Sequence, residues 1–229
     1  EVSSTAHNTQ LATLESGNSV VIWVTHNDDT KQDIIGRIID GSGNPIGSEF
    51  TINATVLGEQ SAPSITELST GGFVVSWASR PPGAGEYDIF GQQFDAQGAS
   101  VGDEFQINTA GFKVHGGASL GGLPDGGFVA TFTQSGAEAV VKIFDGSSDV
   151  RSEFPVSFSP GPVQALGEGN GFVVAGRSSG GGIVAQRYSA QGEEQGNVIG
   201  VNEFASPAEV AILADGGFVV TWQDDDSSH

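Results

Sequence analysis

Gly71-Gly72-Phe73-Val74-Val75-Ser76-Trp77 is the stretch that decides the fold, because the chain repeats it. Three further copies begin at Gly126, Gly171 and Gly216, and a looser copy begins at Gly17. Each copy places a glycine turn before a short run of β-branched and aromatic residues, a pattern typical of a buried strand. The sequence therefore predicts a chain built from one repeated unit.

Three more segments recur in a fixed order around this one, and they are clearest in the second copy. Residues 88–95 follow it as a second apolar strand, and residues 104–108 alternate apolar and polar side chains, as in a half-buried strand. A fourth strand, at residues 63–68, precedes the glycine turn. Each unit thus holds four short antiparallel strands within about 45 to 55 residues.

Four strands at this period are typical of a propeller blade, and one such sheet must stack on its neighbours to bury both faces. The sequence predicts an all-β, β-propeller-like array of four-stranded antiparallel blades, with four full repeats plus a partial fifth, in a single repeat domain. A sandwich built from hairpins is the alternative. The predicted blades cover about 10–53, 61–108, 116–158, 162–202 and, in part, 208–229.

The charge balance of the chain excludes several classes of partner. Its 8 Lys and Arg residues stand against 28 Asp and Glu residues, for a formal net charge of −20. Nucleic acids and anionic membranes are bound through basic surfaces, so we expect neither nucleic acid binding nor membrane insertion. The chain has no cysteine, and therefore no disulfide framework.

The repeat also resembles a known family. The pattern Gly-Gly-Phe-Val-Val-x-Trp, Asp-Ile-x-Gly-Gln-x-Phe-Asp-x-x-Gly and Val-Gly-x-Glu-Phe-x-Ile-Asn is similar to repeats of very large secreted bacterial proteins. Those repeats often accompany RTX-type calcium-binding nonapeptides and cadherin-like modules. The resemblance implies an extracellular or cell-surface location, a role in adhesion, secretion or matrix formation, and calcium dependence. The RTX signature Gly-Gly-x-Gly-x-Asp is itself absent.

Two acidic loops are the candidate metal sites. One covers residues 26–30 and the other covers residues 223–227, and both follow a copy of the glycine-led strand. Clustered carboxylate oxygens suit calcium, which takes six to eight oxygen ligands. A solvated acidic turn is the competing interpretation, because the equivalent loops of the other repeats lack acids. The candidate calcium ligands are Asp28, Asp29, Asp224, Asp225 and Asp226.

Other recurring side chains have a structural interpretation. The aspartates that flank the third strand are predicted to make turn hydrogen bonds to backbone amides, and the glutamates of the outer strand to block edge pairing. The recurring aromatics are predicted to pack between blades, with stacking on sugars as the alternative. These residues are Asp33, Asp40, Asp88, Asp95 and Asp145; Glu49, Glu104 and Glu153; and Trp23, Trp77, Phe132 and Trp222.

No catalytic residue is predicted, because the four histidines (His7, His26, His115 and His229) are scattered without zinc-ligand spacing. The leading hypothesis is a non-enzymatic extracellular structural or adhesive module that contacts another protein, a surface glycan or further repeats of the same polypeptide. A carbohydrate-binding, lectin-like propeller is the alternative. A polysaccharide lyase or hydrolase comes third.

Overall fold

The structure is a computed structural model. It describes residues 6–27, 31–54, 58–114, 116–135, 138–167, 169, 171–202, 205–213 and 215–224. Within these ranges the chain forms strands and turns and no helix, so no described helix could cross a membrane.

The strands form five antiparallel sheets in which neighbours in sequence are neighbours in space. Sheet 1 contains β1 (His7–Thr13), β2 (Ser19–Asn27), β3 (Lys31–Ile39) and β4 (Pro45–Thr51). Sheet 2 contains β5 (Glu59–Glu67), β6 (Phe73–Arg80), β7 (Asp88–Phe94) and β8 (Ser100–Gln106). Sheet 3 contains β9 (Ser119–Gly122), β10 (Phe128–Gln134), β11 (Glu138–Phe144) and β12 (Val150–Val156). Sheet 4 contains β13 (Ser159–Ala165), β14 (Phe172–Arg177), β15 (Ile183–Tyr188) and β16 (Glu194–Asn202), and sheet 5 contains β17 (Ala205–Ile212) and β18 (Phe218–Asp224).

These sheets confirm the predicted fold class. Four sheets have four strands in the order of the sequence, and the fifth has two described strands, as expected for a partial repeat. The chain divides into two compact units, Glu1–Ala118 with sheets 1 and 2, and Ser119–His229 with sheets 3 to 5. That all of residues 1–229 form a single repeat domain stays a prediction.

In the first unit, sheets 1 and 2 share one hydrophobic core. Ile22 and Ile34 of sheet 1 pack in it with Phe73, Val75 and Trp77 of sheet 2, and all five side chains are fully buried. The second strand of sheet 2 is buried over nearly its whole length, which explains its continuous apolar run. Burial of each large side chain contributes about 1.5 to 3 kcal/mol.

The second unit repeats this arrangement. Val141 of sheet 3 packs with Val163 and Phe172 of sheet 4, and a separate cluster joins Val173 of sheet 4 to Val210 of sheet 5. Within each unit, therefore, successive sheets cover one another's apolar faces, as the repeat pattern predicts.

In three repeats a glycine pair closes the hairpin between the first and second strands (Gly71-Gly72, Gly126-Gly127 and Gly216-Gly217), whereas the first and fourth repeats have a single glycine, Gly17 and Gly171. In sheet 2, Gly71 has φ +89° and donates its N–H to the Leu68 carbonyl at 2.9 Å. The Gly72 carbonyl accepts from the Leu68 N–H at 2.9 Å. A Cβ atom on Gly72 would lie closer than 3.0 Å to the Phe94 carbonyl oxygen, whereas a Cβ atom on Gly71 would meet nothing within 4 Å. The first glycine therefore serves the turn and the second serves close packing on β7.

The register between the third and fourth strands shifts in all four four-stranded sheets, and in sheets 1, 2 and 4 a side chain of the third strand bonds to the bulge. Against β7, the register shifts so that Gly91 faces Phe105 while Gln93 faces Val101. The buried Gln92 Nε2 donates to the Val101 carbonyl at 3.0 Å and to the Gly102 carbonyl at 3.2 Å. The bulge removes these carbonyls from the ladder, and the side-chain amide satisfies them.

The same position carries a donor in the other three four-stranded sheets. Arg37 donates to the Gly47 carbonyl at 3.4 Å, and Gln186 donates to the Gly196 carbonyl at 3.4 Å. Lys142, which occupies this position in sheet 3, instead pairs with Glu153 at 2.8 Å. A long polar side chain at this position of the third strand thus helps to hold the fourth strand in place, and we call such backbone-holding contacts the frame of the repeat.

Replacing Gln92 with leucine should lower the free energy of unfolding by about 2 kcal/mol, because it leaves bulged carbonyls without a donor. Chemical denaturation of the variant and the parent chain measures this difference. Gln97→Leu, at an exposed turn position, is the control and should stay within about 0.5 kcal/mol of the parent. Equal losses in the two variants would contradict the role assigned to Gln92.

Candidate functional site

Strand direction places a defined set of loops at one end of every sheet. Because the strands alternate in direction, the β2–β3, β6–β7, β10–β11 and β14–β15 connections lie at the end where the fourth strand leaves for the next repeat. We call this the loop-bearing end. His26 and Asn27, the described residues of the first acidic loop, lie at this end of sheet 1, and the two cavities described below lie at the same end of their own sheets. Loops on a rigid scaffold are the usual place for binding residues.

The predicted calcium ligands fall largely outside the described part of the chain. Asp28, Asp29, Asp225 and Asp226 lie outside the described residues. Asp224 ends β18, where its backbone pairs with Ala205, but its side chain is outside the described part as well. Among the described residues, no group of three or more His, Asp or Glu side chains could hold a metal ion. Calcium binding at these loops stays a prediction.

The aspartates that follow the third strand make the predicted turn hydrogen bonds. In each of Asp40, Asp95 and Asp145, Oδ1 accepts from the backbone amides two and four residues later, at 2.7 to 3.0 Å. Ser189 takes this role in sheet 4 through its Oγ. The backbone amide of Asn44 is the main cause that lowers the pKa of Asp40 below its usual value. These carboxylates are therefore committed to turns.

The aspartates that begin the third strand behave differently from the prediction. Asp33 accepts from the side-chain amide of Asn53 at 3.0 Å, and Asp88 accepts from that of Asn108 at 3.1 Å. One partner of each aspartate is therefore a side-chain amide from the segment that follows the fourth strand. In both repeats the asparagine Oδ1 also accepts the N–H of the next residue of the third strand, at 2.8 Å from Ile34 and at 2.7 Å from Ile89. The sequence does not show this bond because about 20 residues separate its partners.

The outer-strand glutamates lie on edge strands, but they also have specific partners. Glu49 pairs with Arg37 at 3.4 Å, and Glu153 pairs with Lys142 at 2.8 Å. Glu104 accepts from the backbone N–H of Ala54 at 3.0 Å. These glutamates therefore place a charge on the edge strand and also bond it to neighbouring residues.

The recurring aromatic position is buried in some repeats and open in others. Trp77 is 0% exposed and Phe132 is 2% exposed, which confirms the packing interpretation for sheets 2 and 3. Trp23 is partly exposed, and Trp222 is 43% exposed. Packing thus explains two of these four positions fully.

A cavity of about 270 Å³ lies at the loop-bearing end of sheet 2, next to Glu59 and Arg80. These two side chains form an ion pair, and the Tyr87 hydroxyl donates to Glu59 Oε2 at 2.8 Å. This hydrogen bond is the main cause that raises the pKa of Tyr87. The Arg80 guanidinium also stacks 4.8 Å from the centre of the Tyr87 ring. The charges beside this cavity neutralise one another.

A larger cleft of about 460 Å³ lies at the loop-bearing end of sheets 3 and 4, both in the second unit, and we call it the Arg177 cleft. Ala139, Val156 and Phe158 supply its apolar walls. Phe158 is 5% exposed and belongs to the core between the two sheets. The cleft is therefore built directly on packed structure.

The open side of the Arg177 cleft is polar and carries a cation. Exposed hydroxyl groups line it, from Thr133, Ser157, Ser159 and Ser179. Arg177 is exposed there, and its Nε donates to the Gly181 carbonyl at 3.3 Å. The lining residues that the structure describes include no Asp or Glu.

One departure in the repeat accounts for the position of Phe158. Gly176 stands where Trp77 and Phe132 stand in other repeats. A Cβ atom on Gly176 would lie 2.9 Å from Phe158 Cε2, so this ring fills the space that the missing side chain would take. The sequence shows the glycine as an exception in the repeat, but not which residue compensates for it.

Comparison with known proteins supports the fold and no narrower conclusion. No protein-family model matches the chain, and no curated protein matches it. A protein of unknown function from Dyadobacter fermentans DSM 18053 is similar in structure, with 12% identity and a TM-score of 0.66 over 97% of this chain and 76% of that one. The β-propeller domain of the Trilobed protease from Pyrococcus furiosus has 13% identity and a TM-score of 0.50 over 97% and 70%.

An enzyme is also among the similar structures. The exo-β-1,3-galactanase from Phanerochaete chrysosporium, solved with galactose, has 9% identity and a TM-score of 0.54. The match covers 95% of this chain and 56% of the galactanase chain, so this chain spans little more than half of that protein. At such identities the likeness concerns the propeller-like fold alone.

Proposed function

We propose that this chain is a non-enzymatic structural and adhesive repeat module of a secreted or cell-surface bacterial protein. The observation that carries the proposal is that the polar side chains shared by the repeats bond to the frame of the repeat. The RTX-associated resemblance of the sequence agrees with this role. The partner is another protein or a surface glycan, which the loop-bearing ends contact.

The polar residues that the repeats share are poorly suited to acid–base catalysis. A catalytic acid or base needs a proton-transfer path to its substrate, whereas a residue that holds the backbone together is already engaged. Asp95 closes a turn, Asn108 anchors the segment after β8 to β7, and Gln92 bonds to a bulge. The loops at the loop-bearing end differ from repeat to repeat in sequence. A constant frame with variable loops suits presentation to a partner.

Calcium is part of this proposal because the chain carries a net charge of −20. Carboxylates in the 26–30 and 223–227 loops would hold the cation, which would neutralise local repulsion at those loops. The affinity of extracellular calcium modules is about 10⁻⁴ to 10⁻³ M, well suited to a location outside the cell.

A second candidate function, carbohydrate binding, is favoured by the Arg177 cleft. Hydroxyl groups next to an apolar wall suit a sugar ring, which presents both polar and apolar faces. This candidate is compatible with adhesion to a surface glycan.

Calcium at about 10 mM should raise the melting temperature by about 5 °C, which corresponds to roughly 2 kcal/mol of linked binding energy. The Asp224→Ala and Asp226→Ala double variant should lose most of this shift. Asp103→Ala, at an exposed outer-strand position, is the control and should keep it. Differential scanning calorimetry with magnesium at equal concentration separates specific binding from screening.

An equal shift with magnesium, or none with calcium, would contradict the calcium-stabilised form of the proposal. Its non-enzymatic part is tested on the same samples with β-1,3-galactan and other polysaccharides. We expect no release of reducing ends above that of heat-denatured protein. Sustained turnover of any of these polymers would overturn the non-enzymatic role.

A further inference from the structure

We propose that the Arg177 cleft binds a saccharide that bears a carboxylate, such as a uronic acid residue. The inference rests on the proposed adhesive function and names the class of ligand that one of its surfaces would take. It depends on three features of the cleft: an arginine with donors to spare, a set of uncommitted hydroxyl groups, and an apolar wall.

The first feature is the state of Arg177. Five of the basic side chains that the structure describes form ion pairs with carboxylates, whereas the described part of the chain provides no such partner for Arg177 or Arg187. This matters in a chain that has 28 acidic residues. The Nε of Arg177 is held by the Gly181 carbonyl, which leaves both Nη groups as donors. Two such donors in one plane match the two oxygens of a carboxylate.

The second feature is the set of hydroxyl groups beside it. Within the described residues, the side chains of Ser157, Ser159 and Ser179 make no hydrogen bond. Each hydroxyl can both donate and accept, as the hydroxyls of a sugar can. Together with the guanidinium, they present polar groups suited to an acidic sugar rather than to an isolated anion.

The third feature is the size and the apolar wall of the cleft. Its volume of about 460 Å³ falls within the range of small-molecule sites, about 300 to 1,000 Å³. Val156 and Phe158 give it an apolar surface on which the C–H face of a sugar ring can pack. The packed core behind Phe158 makes this surface rigid, which reduces the entropy cost of binding.

The negative charge of the whole chain does not prevent anion binding at this place. At physiological ionic strength the Debye length is about 8 Å, so distant carboxylates contribute little to the potential in the cleft. The charge that decides is therefore the local one, and among the described residues the cleft lining contains Arg177 and no Asp or Glu.

Binding of trigalacturonic acid, measured by ligand-observed NMR and calorimetry, tests the inference. We expect saturable binding with a Kd of about 1 mM. Arg177→Gln should weaken it about tenfold, and Arg177→Lys should weaken it less because the charge remains while the planar fork is lost. Arg187→Gln is the matched control, since Arg187 lies outside the cleft lining, and it should change the affinity by less than about twofold.

The ligand provides an independent control. The methyl ester of trigalacturonic acid keeps the sugar but loses the charge, so it should bind about tenfold more weakly than the acid. Equal affinity for acid and ester, no saturable binding of the acid below about 20 mM, or an unchanged Kd in Arg177→Gln would each overturn the inference. Cleavage of trigalacturonic acid would overturn the non-enzymatic proposal. The effect of Arg177→Gln on binding would still test whether the Arg177 cleft is the binding site.

Discussion

Replacing Gly72 with alanine is expected to lower the free energy of unfolding by about 4 kcal/mol, at the upper end of what a single added methyl group costs. The new Cβ atom would overlap the Phe94 carbonyl oxygen, which belongs to the backbone and has no rotamer to change. The overlap is relieved only if the chain of β6 separates from that of β7, where Phe73 pairs with Phe94. Fully buried aromatic packing would be lost with it.

The neighbouring Gly71 supplies the matched control. It has φ +89°, but a Cβ atom there would meet nothing within 4 Å, so Gly71→Ala should cost only about 1 kcal/mol for its left-handed backbone. Denaturant titration of both variants measures the two losses. A loss in Gly72→Ala no larger than that in Gly71→Ala would refute the assignment of one glycine to the turn and the other to close packing.

Replacing Asn108 with alanine is expected to lower the free energy of unfolding by about 3 kcal/mol. The change removes the acceptor of the Ile89 N–H in the interior, and an unsatisfied buried donor costs about 1 to 3 kcal/mol. It also removes the bond from Asn108 Nδ2 to the Phe112 carbonyl at 2.6 Å and the bond to Asp88. The connection after β8 would lose an anchor.

Asn53→Ala repeats the experiment in sheet 1, where Asn53 Oδ1 accepts from Ile34 and Nδ2 donates to Asp33. Its loss in the free energy of unfolding should be of similar size, because the same two kinds of bond are removed. Asn44→Ala, in an exposed turn, should cost less than about 1 kcal/mol. Hydrogen exchange of the Ile89 amide should accelerate in Asn108→Ala, and unchanged protection of that amide would contradict the proposed role.

Repetition made the fold predictable from the sequence. Each copy of the glycine-led strand became the second strand of a sheet, and in sheets 2 and 3 this strand is buried, as Phe73 and Phe128 illustrate. The turn role of Asp95 was also predictable, since an aspartate bonds to amides only a few residues away.

Interactions between distant residues were harder to predict. The partners of Asn53 and Asn108 lie on another strand, and the compensation of Gly176 by Phe158 depends on the packing between two sheets. The Arg177 cleft depends on that packing. The only sign of it in the sequence is Gly176, a glycine at a position where other repeats have an aromatic residue. Patterns within a few residues thus predicted the strands and turns. The cleft could be found only from the three-dimensional structure.

The filled bulges also bear on how such a polypeptide folds. A chain of similar units risks pairing a strand of one unit with the edge of another, the usual misfolding route of tandem repeats. A shifted edge whose carbonyls are already taken by Gln92 or Gln186 offers no regular template for a foreign strand. Sheets 2 and 4 therefore carry their own safeguard against mispairing, which favours correct folding when near-copies follow one another on a single polypeptide.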